Sequence, residues 1–425
     1  MIKSIILAAG KGTRMKSDTP KVLHKIFKKS LLGYVVDSVN KTNLVDENFI
    51  IVGHKAEEVE KYVNEHYDNA KTILQSPQLG TGHAVSMVLP SLNDYNGEVI
   101  ILCGDTPLIT KETLEDFIKT HYSKGADLTV MSAIFVNPTN YGRILRNQDG
   151  TLNSIVEEKD ATIEQKSIKE VNAGIYIFNW AKIKPAFSEL KSNNAQGEYY
   201  LTDIVKWANE QNLKVDAYTM KNNEEIYGIN SKAHLAEATR ILNKRVVQKH
   251  LDNGVTIIDP ATVWISPETE IGADTIIYPS CYISGKNKIG KKCKIGPFAH
   301  LRGDVELEDN VKIGNFVEVK KTTIKANTNA CHLSYLGDSE IGSDVNIGAG
   351  TITANYNPLS KVKSRTIIGN KVKIGSNSVL VAPIEIKEGA NVAALSVITK
   401  NIPAWALAIT RSPLKLIENW VKKNI

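Results

Sequence analysis

An aliphatic side chain returns at every sixth position through most of the second half of this chain. An α-helix repeats its apolar positions about every 3.6 residues and an ordinary strand repeats them every second residue, so neither element explains this period. A period of six is typical of a parallel β-helix, in which each short strand turns a corner and directs one aliphatic side chain into a stacked core. The repeat forms two series, which are Ile265, Ile271, Ile277, Ile283, Ile289, Ile295, Leu301, Leu307, Ile313 and Val319, and then Ile368, Ile374, Leu380, Ile386, Val392 and Ile398.

The phase of the repeat slips between the two series. Residues 355–365 are mostly polar and include Pro358, so we expect them to leave the coil as an external loop, a place that often carries function. The slip also contains Cys331-His332-Leu333-Ser334, a polar cluster where the repeat would require another aliphatic residue. A neutral imidazole can take a proton from an amine that attacks a thioester, so His332 is a candidate general base. The alternative is a structural histidine at a corner of the coil.

The first half of the chain alternates short apolar runs with helical patterns, which predicts a mostly parallel sheet with crossover helices. Ligands of such sheets bind beyond the carboxyl ends of the strands, so the residues that follow each run are the first candidates for chemistry. The predicted strands cover residues 5–9, 49–52, 99–102, 128–135 and 174–178.

A helical pattern over residues 231–251 separates the two halves, and Asn253-Gly254 is its stop signal. We therefore expect an α/β domain over residues 1–228, a linker helix over 229–252, and the β-helix with a C-terminal tail over 253–425. The tail is predicted to end in a short amphipathic helix that reaches Ile425. One face of the linker helix carries Leu235, Ala238, Leu242 and Val246.

Composition narrows the function classes. The 425 residues are 42% hydrophobic and 23% charged, and Lys and Arg exceed Asp and Glu by only 52 to 46 without a sustained basic block. Nucleic acid is therefore an unexpected partner, whereas small anionic substrates fit. No stretch could span a bilayer, the apolar run 5–9 is too short for a signal peptide, and the four cysteines form neither a disulfide framework nor a metal motif. We expect a soluble, cytoplasmic protein without a membrane partner.

Glycines follow the first predicted strand. Gly10-Lys11-Gly12 lies at a strand-to-helix turn, where backbone N–H groups can approach a phosphate. Arg14 and Lys21 would add cationic contacts to a triphosphate. A tight loop without a ligand is the structural alternative, and the spacing matches neither a P-loop nor a dinucleotide-binding motif.

Further polar residues strengthen the nucleotide interpretation. Gln75 and Gly80-Thr81 supply amide and backbone groups that can read the edge of a base. Asp105 follows the strand predicted over 99–102, and a carboxylate there suits Mg²⁺, especially with a second oxygen ligand such as Asn230. Mg²⁺ takes few protein ligands and completes its shell with phosphate and water.

These segments resemble the sugar-1-phosphate nucleotidylyltransferases, and specifically the bacterial bifunctional N-acetylglucosamine-1-phosphate uridylyltransferase/glucosamine-1-phosphate N-acetyltransferase family. The resemblance implies a Rossmann-like mixed sheet, Asp105 and Asn230 as magnesium ligands, and a uracil site at Gln75 and Gly80. Ala173 stands where threonine is more usual. The implied nucleotide-sugar site comprises Leu7, Ala8, Ala9, Gly10, Lys21, Gln75, Gly80, Thr81, Gly104, Asp105, Gly142, Glu157, Asn172 and Asn230.

The same resemblance covers the solenoid. It implies a left-handed, trimeric β-helix in which His332 is the general base, with Arg302 and Lys320 on the substrate phosphate. Gly303 and Lys373 depart from the usual proline and aromatic residue, the loop after Asn357 is slightly longer, and hexads are missing near the start of the solenoid. Further residues at the sugar-phosphate and acetyl-CoA sites are Tyr335, Asn346, Ala349, Asn355, Tyr356, Ser376, Ala394 and Arg411.

The function that this resemblance implies has two steps. Glucosamine 1-phosphate is N-acetylated from acetyl-CoA, and the product then takes UMP from UTP, with Mg²⁺, to give UDP-N-acetylglucosamine and pyrophosphate for cell-envelope precursors. One alternative is a related enzyme that uses dTTP or another sugar, against which Gln75 and Gly80-Thr81-Gly82 argue. The other is a non-catalytic scaffold, against which the presence of Asp105, Asn230 and His332 argues.

Overall fold

The computed structural model of the protein describes residues 2–423. The chain divides into two compact units, Met1–Ile241 and Leu242–Ile425. Among the described residues, no helix is both long and apolar enough to cross a membrane.

A mixed β-sheet forms the centre of the first unit. The order along the sheet is β11-β7-β10-β6-β1-β4-β5, and β8 and β9 form a hairpin attached to β10. All neighbours on the main path are parallel except that β10 runs antiparallel to both β6 and β7. The strands of this unit are β1 (Ile2–Leu7), β2 (Lys25–Ile26), β3 (Lys29–Ser30), β4 (Val45–Val52), β5 (Ala70–Leu74), β6 (Glu98–Cys103), β7 (Leu128–Ile134), β8 (Arg143–Arg146), β9 (Leu152–Val156), β10 (Glu170–Asn179) and β11 (Val215–Thr219).

Helices cover both faces of this sheet, because the central strands are apolar on both faces and form two buried clusters. Local signals set the helix ends: the Thr110 hydroxyl accepts from the Thr113 N–H to begin α4, and Gly125 in the left-handed region ends it. The helices are α1 (Leu31–Asn40), α2 (Ala56–His66), α3 (Thr81–Ser86), α4 (Lys111–Lys124), α5 (Ile163–Lys166), α6 (Trp180–Ile183), α7 (Ala186–Glu189) and α8 (Asp203–Glu210), with 3₁₀ turns at Thr13–Met15, Lys21–Leu23, Leu89–Leu92 and Asn223–Ile226.

The predicted end of the first strand is wrong. The strand pairs with β4 and β6 only as far as Leu7, opposite Ile51 and Cys103, so Ala8 and Ala9 lie in the loop that follows it. Small apolar residues extend the apparent apolar run, but strand ends are set by backbone pairing. The Ala8 N–H donates to the Ile51 carbonyl at 2.9 Å and the Ala9 carbonyl accepts from the His54 N–H at 3.2 Å, so this loop is held beside the end of β4.

The helix predicted over residues 231–251 is present as α9 (Lys232–Asp252), and the division between the two units falls within it. In the second unit, the Asn243 amide donates to the Val263 carbonyl at 2.8 Å and accepts from the Ile265 N–H at 2.9 Å. Val246 and Val247 belong to the buried core of the solenoid. The end of α9 therefore covers the first coil.

The second unit is the left-handed parallel β-helix of hexapeptide repeats that the sequence predicts. All of its strand pairs are parallel, and two strands, β22 and β24, continue around a corner and so join two of its three faces into one sheet. The strands are β12 (Thr256–Ile257), β13 (Trp264–Ile265), β14 (Glu270–Ile271), β15 (Ile276–Ile277), β16 (Tyr282–Ile283), β17 (Asn287–Ile289), β18 (Lys294–Ile295), β19 (His300–Leu301), β20 (Val305–Leu307), β21 (Lys312–Asn315), β22 (Glu318–Ile324), β23 (Asn329–His332), β24 (Tyr335–Ile341), β25 (Asn346–Ile347), β26 (Ile352–Ala354), β27 (Thr366–Ile368), β28 (Lys373–Ile374), β29 (Val379–Val381), β30 (Ile384–Ile386), β31 (Asn391–Val392), β32 (Val397–Ile398) and β33 (Leu407–Ala408).

The two continuous strands explain the slip in the repeat. Val319 and Ile324 in β22, and Leu336 and Ile341 in β24, are all buried and face the core although each pair is only five positions apart. Between them Ala330 fills the inward position opposite Ile313 and Ile347. The expectation that the polar cluster around His332 interrupts the aliphatic repeat is therefore wrong: the core repeat continues in a shifted phase through Ala330 and Leu336, and His332 lies just outside it.

Residues 355–365 leave the coil between β26 and β27, as predicted. Backbone hydrogen bonds from Ser364 to the Asn355 carbonyl at 2.8 Å and from Asn357 to the Val362 carbonyl at 3.0 Å hold the loop as a small hairpin. The tail contains α10 (Trp420–Lys423), and the predicted end of that helix at Ile425 lies outside the described residues.

Candidate functional sites

Two adjoining cavities open at the carboxyl edge of the first unit's sheet. The Gly104 N–H donates to the Leu7 carbonyl at 2.9 Å, so the loops after β1 and β6 emerge side by side. A cavity of about 660 Å³ and another of about 470 Å³ share Leu7, Thr81, Cys103 and Asp105 in their walls. This is the edge at which open α/β sheets bind ligands.

At this edge the Lys21 ammonium lies against side-chain oxygens from two distant segments. The Lys21 ammonium is ion-paired with the Asp105 carboxylate and donates to the Asn230 Oδ1 at 3.2 Å. The Ile229 N–H donates to the Asp105 carbonyl at 2.9 Å and so fixes the Asn230 segment there. Asp105 and Asn230 thus present two oxygens to a single cationic point.

This donor set fits a divalent cation of the magnesium type, because Mg²⁺ binds through one or two protein oxygens and completes its octahedron with phosphate and water. Within residues 2–423, no group of three or more His, Cys, Asp or Glu side chains could enclose a metal. A cation here would therefore depend on the substrate's phosphates for most of its shell.

Glycine conformation shapes the loop after β1. Gly12 has φ +60°, and a Cβ at this position would lie 2.7 Å from the Cβ of Lys21. The turn therefore requires glycine both for its left-handed backbone and for the close approach of Lys21. Gly10 has open space beside it, and Arg14 lines the larger cavity.

The smaller cavity contains the groups predicted to read a base. Gly80 has φ +111°, and a Cβ there would lie 2.6 Å from the Tyr199 carbonyl oxygen, so only glycine fits before α3. The buried Gln75 amide donates to the Gly80 carbonyl at 2.9 Å and also contacts His83. Gln78 and Glu198 line the same cavity and were not predicted from the sequence.

The larger cavity brings together three of the predicted sugar-site residues. The Asn172 N–H donates to the Gly142 carbonyl at 2.9 Å, and a Cβ at Gly142 would lie 3.6 Å from the Glu157 Oε1. Burial raises the pKa of Glu157, which also accepts from the Thr202 hydroxyl at 3.2 Å. The Asn172 amide donates to the hydroxyl of buried Tyr176 at 2.7 Å, which orients it.

Sequence reasoning missed several residues of this wall. Phe135, Tyr227 and His234 line the larger cavity. Tyr227 and His234 lie close to Asn230 along the chain, and this proximity could have indicated them as site residues.

Burial raises the pKa of the Cys103 thiol to about 12, so this cysteine stays protonated between the two cavities.

On the β-helix, a cationic group spans neighbouring coils. The Arg302 guanidinium donates to the Glu318 carboxylate at 2.6 Å. A hydrogen bond with Lys363, together with burial and its positive charge, lowers the pKa of Lys320. Neighbouring ammonium groups repel each other, so an anion between Lys320 and Lys363 would be favoured. Lys363 was missed as a site residue, although the loop that carries it was predicted.

Tyr335 lies beside this group. It is opposite Glu318 in the register of β22 and β24, and the Asn355 amide donates to its hydroxyl at 3.4 Å. Asn355 also donates to the Asp338 carboxylate. The absence of a side chain at Gly337 leaves the space that the Tyr335 ring occupies.

Four of the six predicted coenzyme A residues, Ala349, Ser376, Ala394 and Arg411, form a column along one corner of the coil. The Gly350 N–H, next to Ala349, donates to the His332 carbonyl at 3.3 Å, and the Asn377 N–H donates to the Ala349 carbonyl at 2.7 Å. The Leu395 N–H donates to the Ser376 carbonyl at 2.8 Å, and the Arg411 guanidinium donates to the Ala394 carbonyl at 2.9 Å. The column therefore runs from His332 to Arg411.

Two predicted residues stand apart within the chain. Asn346 is exposed on β25, in register with Asn329 and Lys373, and Tyr356 is 52% exposed on the loop. No hydrogen bond between the described residues joins either of them to His332, which is itself exposed.

Comparison with known proteins finds a family model that matches each unit. The model for nucleotidyl transferases matches residues 3–244, and that for the bacterial transferase hexapeptide matches residues 288–321. The bifunctional protein GlmU of Alkaliphilus metalliredigens is 43% identical over 456 residues, covering 100% of this chain and 98% of the relative. The chain belongs to the GlmU family. Its expected nature as a bifunctional uridylyltransferase and N-acetyltransferase is thereby confirmed.

Other GlmU proteins match over the same extent. That of Thermoanaerobacter pseudethanolicus is 45% identical over 455 residues, and that of Clostridioides difficile is 42% identical over 455 residues, each covering 99% of this chain and 98% of the relative. These alignments are longer than the 425 residues of the chain, so the GlmU relatives carry segments that this chain lacks. The predicted loss of hexads near the start of the solenoid stays a prediction.

Proposed function

We propose that the chain N-acetylates glucosamine 1-phosphate with acetyl-CoA and then transfers UMP from UTP to N-acetylglucosamine 1-phosphate, releasing pyrophosphate. The observation that carries the second step is the convergence of Asp105, Asn230 and Lys21 in cavities that also contain Gln75 and Glu157. One edge of the sheet therefore carries a candidate cation site, a side chain that could recognise the base, and a side chain that could bind the sugar.

In uridylyl transfer, Asp105 and Asn230 would hold Mg²⁺, which supplies positive charge to the phosphates when bound. Lys21 and Arg14 contact the triphosphate and stabilise the charge that develops as the sugar phosphate oxygen attacks the α-phosphorus. Glu157 and Asn172 hold the sugar through its hydroxyl and amide groups. Most of the catalysis is then positioning and electrostatic stabilisation.

In acetyl transfer, the amine of glucosamine 1-phosphate attacks the thioester carbonyl and the carbon–sulfur bond breaks. His332 accepts the amine proton, and the coenzyme A thiol leaves. Arg302, Lys320 and Lys363 hold the phosphate, because an anion between Lys320 and Lys363 would relieve the repulsion between their ammonium groups. The column from Ala349 to Arg411, with Asn355 and Tyr356, holds coenzyme A.

We further propose that the active assembly is a homotrimer. Phe298 and Phe316 are half-exposed, their rings stack at 5.2 Å, and exposed Leu333 follows on the next coil, beside His332. A stripe of this kind supports an interface, and a second copy would bring further side chains to His332, Asn346 and Tyr356. Substituting both phenylalanines by aspartate should reduce the assembly mass and acetyl transfer together, while a monomeric wild-type chain would contradict the trimer.

The direct test is incubation of the full chain with UTP, glucosamine 1-phosphate and Mg²⁺, with and without acetyl-CoA. UDP-N-acetylglucosamine should form only with acetyl-CoA, whereas N-acetylglucosamine 1-phosphate should need none. A panel containing dTTP and other sugar phosphates distinguishes the related specificity, and failure of both reactions would refute the proposal. The cytoplasmic location stays a prediction.

A further inference from the structure

The Gln75 side chain uses both of its amide hydrogens within the protein. Its Nε2 donates to the Gly80 carbonyl at 2.9 Å and lies 3.1 Å from the Nδ1 of His83. A carbonyl oxygen only accepts, so the atom beside Gly80 must be the nitrogen of the amide. The orientation of the Gln75 amide therefore follows from its partners.

The same logic fixes the tautomer of His83. Because Gln75 Nε2 is only a donor, His83 must accept through an unprotonated Nδ1 and carry its proton on Nε2. The ring is half-buried on α3, with its centroid 6.4 Å from that of Tyr199. The Ser86 hydroxyl donates to the His83 carbonyl at 2.8 Å, which further holds this turn.

This arrangement leaves one group of the amide for a ligand. The Gln75 Oε1 accepts no hydrogen bond from the residues that the structure describes, and Gln75 lines the smaller cavity. Gln75 therefore offers a base a hydrogen-bond acceptor, its Oε1 atom. Uracil and thymine carry an N–H at N3, whereas cytosine carries an unprotonated acceptor nitrogen there.

We propose that His83 is a positioning residue that sets pyrimidine specificity by holding the Gln75 amide with its oxygen toward the base. The inference rests on the proposed function, because it takes the smaller cavity as the uracil site. Without His83, the Gly80 carbonyl alone holds the amide nitrogen, so turning the N–H₂ toward cytosine N3 breaks one hydrogen bond instead of two. His83 then matters to the choice between UTP and CTP rather than to chemistry at phosphorus.

The experiment measures kcat/KM for UTP and for CTP with N-acetylglucosamine 1-phosphate, using the full chain. His83→Ala should lower the UTP/CTP ratio roughly two- to tenfold, the range expected for one neutral hydrogen bond. His83→Asn should restore much of the ratio, since the asparagine Oδ1 can accept near the position of Nδ1. His66→Ala, at an exposed histidine on α2, is the matched control and should leave the ratio unchanged.

Gln75→Ala separates this inference from the proposed function. If Gln75→Ala lowers the ratio but folded His83→Ala does not, His83 has only a structural role and the inference is overturned. If neither variant changes the ratio, the base is not read in this cavity, and the uracil site of the proposed function fails as well. Should His83→Ala fail to fold, His83→Asn is compared with His83→Phe: a higher ratio for asparagine supports the inference, and equal ratios overturn it.

Discussion

The two units build their candidate sites in opposite ways. In the first unit, residues as far apart along the chain as Lys21, Asp105 and Asn230 meet at one edge of a sheet. In the β-helix, neighbouring candidates such as Ala349 and Ser376 come from successive coils and stack along a corner. A sheet edge with covering loops encloses space, whereas a solenoid presents an open column, because each coil contacts only its neighbours.

This difference shows in the side chains themselves. Burial raises the pKa of Glu157 and brings that of Cys103 to about 12, so the first site surrounds its groups with protein. His332 and Tyr356 are exposed on the solenoid. A single chain therefore encloses the candidate site in the first unit, whereas the candidate acetyl site would gain walls from further copies under our trimer proposal.

The largest expected effect separates the two sites. Asp105→Asn keeps a side-chain oxygen but removes the negative charge at the candidate cation site, and it should lower uridylyl transfer by about 10³–10⁵, the range for losing a charge that stabilises a transferring phosphoryl group. Acetyl transfer should remain, because its residues lie in the other unit. Both rates are measured on one preparation, with exposed Asp68→Asn as control. An equal loss of both activities would argue against separate sites.

His332→Ala tests the opposite half of the comparison. Acetyl transfer should fall by about 10²–10⁴, because general base catalysis typically contributes that much, and an amine that keeps its proton cannot attack a thioester. Thiol release from acetyl-CoA measures this rate, and uridylylation of N-acetylglucosamine 1-phosphate on the same sample is the control. A folded variant that keeps more than about a tenth of the wild-type rate would move the base elsewhere.

Lys363→Ala tests whether the cationic group on the β-helix binds the phosphate of glucosamine 1-phosphate. Removing one charge-assisted hydrogen bond should raise the KM for glucosamine 1-phosphate roughly 10- to 100-fold with little change in kcat. The substitution should also raise the pKa of Lys320, whose lowering is caused first by Lys363, so phosphate binding would persist to higher pH than in the wild type. Lys361→Ala, two positions away on the same loop, should leave the KM unchanged. An unchanged KM in Lys363→Ala would exclude it from the phosphate site.

The smallest effect concerns burial at Glu157. Its folded-state pKa is raised above the ordinary value of 4.5, so the folded protein holds this proton more tightly than the unfolded chain. Stability should therefore decline slightly as pH rises from 4.5 through the raised pKa, and sugar binding by the carboxylate should weaken as pH falls through it. Glu157→Gln should flatten both profiles, measured as Tm and as KM for N-acetylglucosamine 1-phosphate. Profiles parallel to the wild type would show that Glu157 does not titrate in this range.

Local patterns predicted the architecture because they are repeated or adjacent in the sequence. The spacing from Ile265 to Val319 predicts the β-helix, and the polar run with Pro358 predicts its external loop. The pattern around Leu235 and Leu242 predicts α9. Each of these signals depends on neighbours within a few residues, so the sequence displays it directly.

Other features depended on contacts between distant segments. The end of β1 at Leu7 was set by pairing with β4 and β6, and the continued core at Ala330 was set by the two strands that round a corner. Lys363 became a candidate only because it lies beside Lys320. His83 became one only because it lies beside Gln75.

The two folds and the types of the candidate residues were therefore predictable from the order of residues along the chain. Motif spacing and family resemblance identify Lys21, Asp105, Asn230 and His332 as candidates from the sequence. The packing of distant segments sets which oxygens surround Lys21, which amide hydrogens of Gln75 are already used, and where burial changes a pKa. The physical reason is that hydrogen bonds and electrostatic interactions act over a few ångströms of space, whatever the separation along the chain.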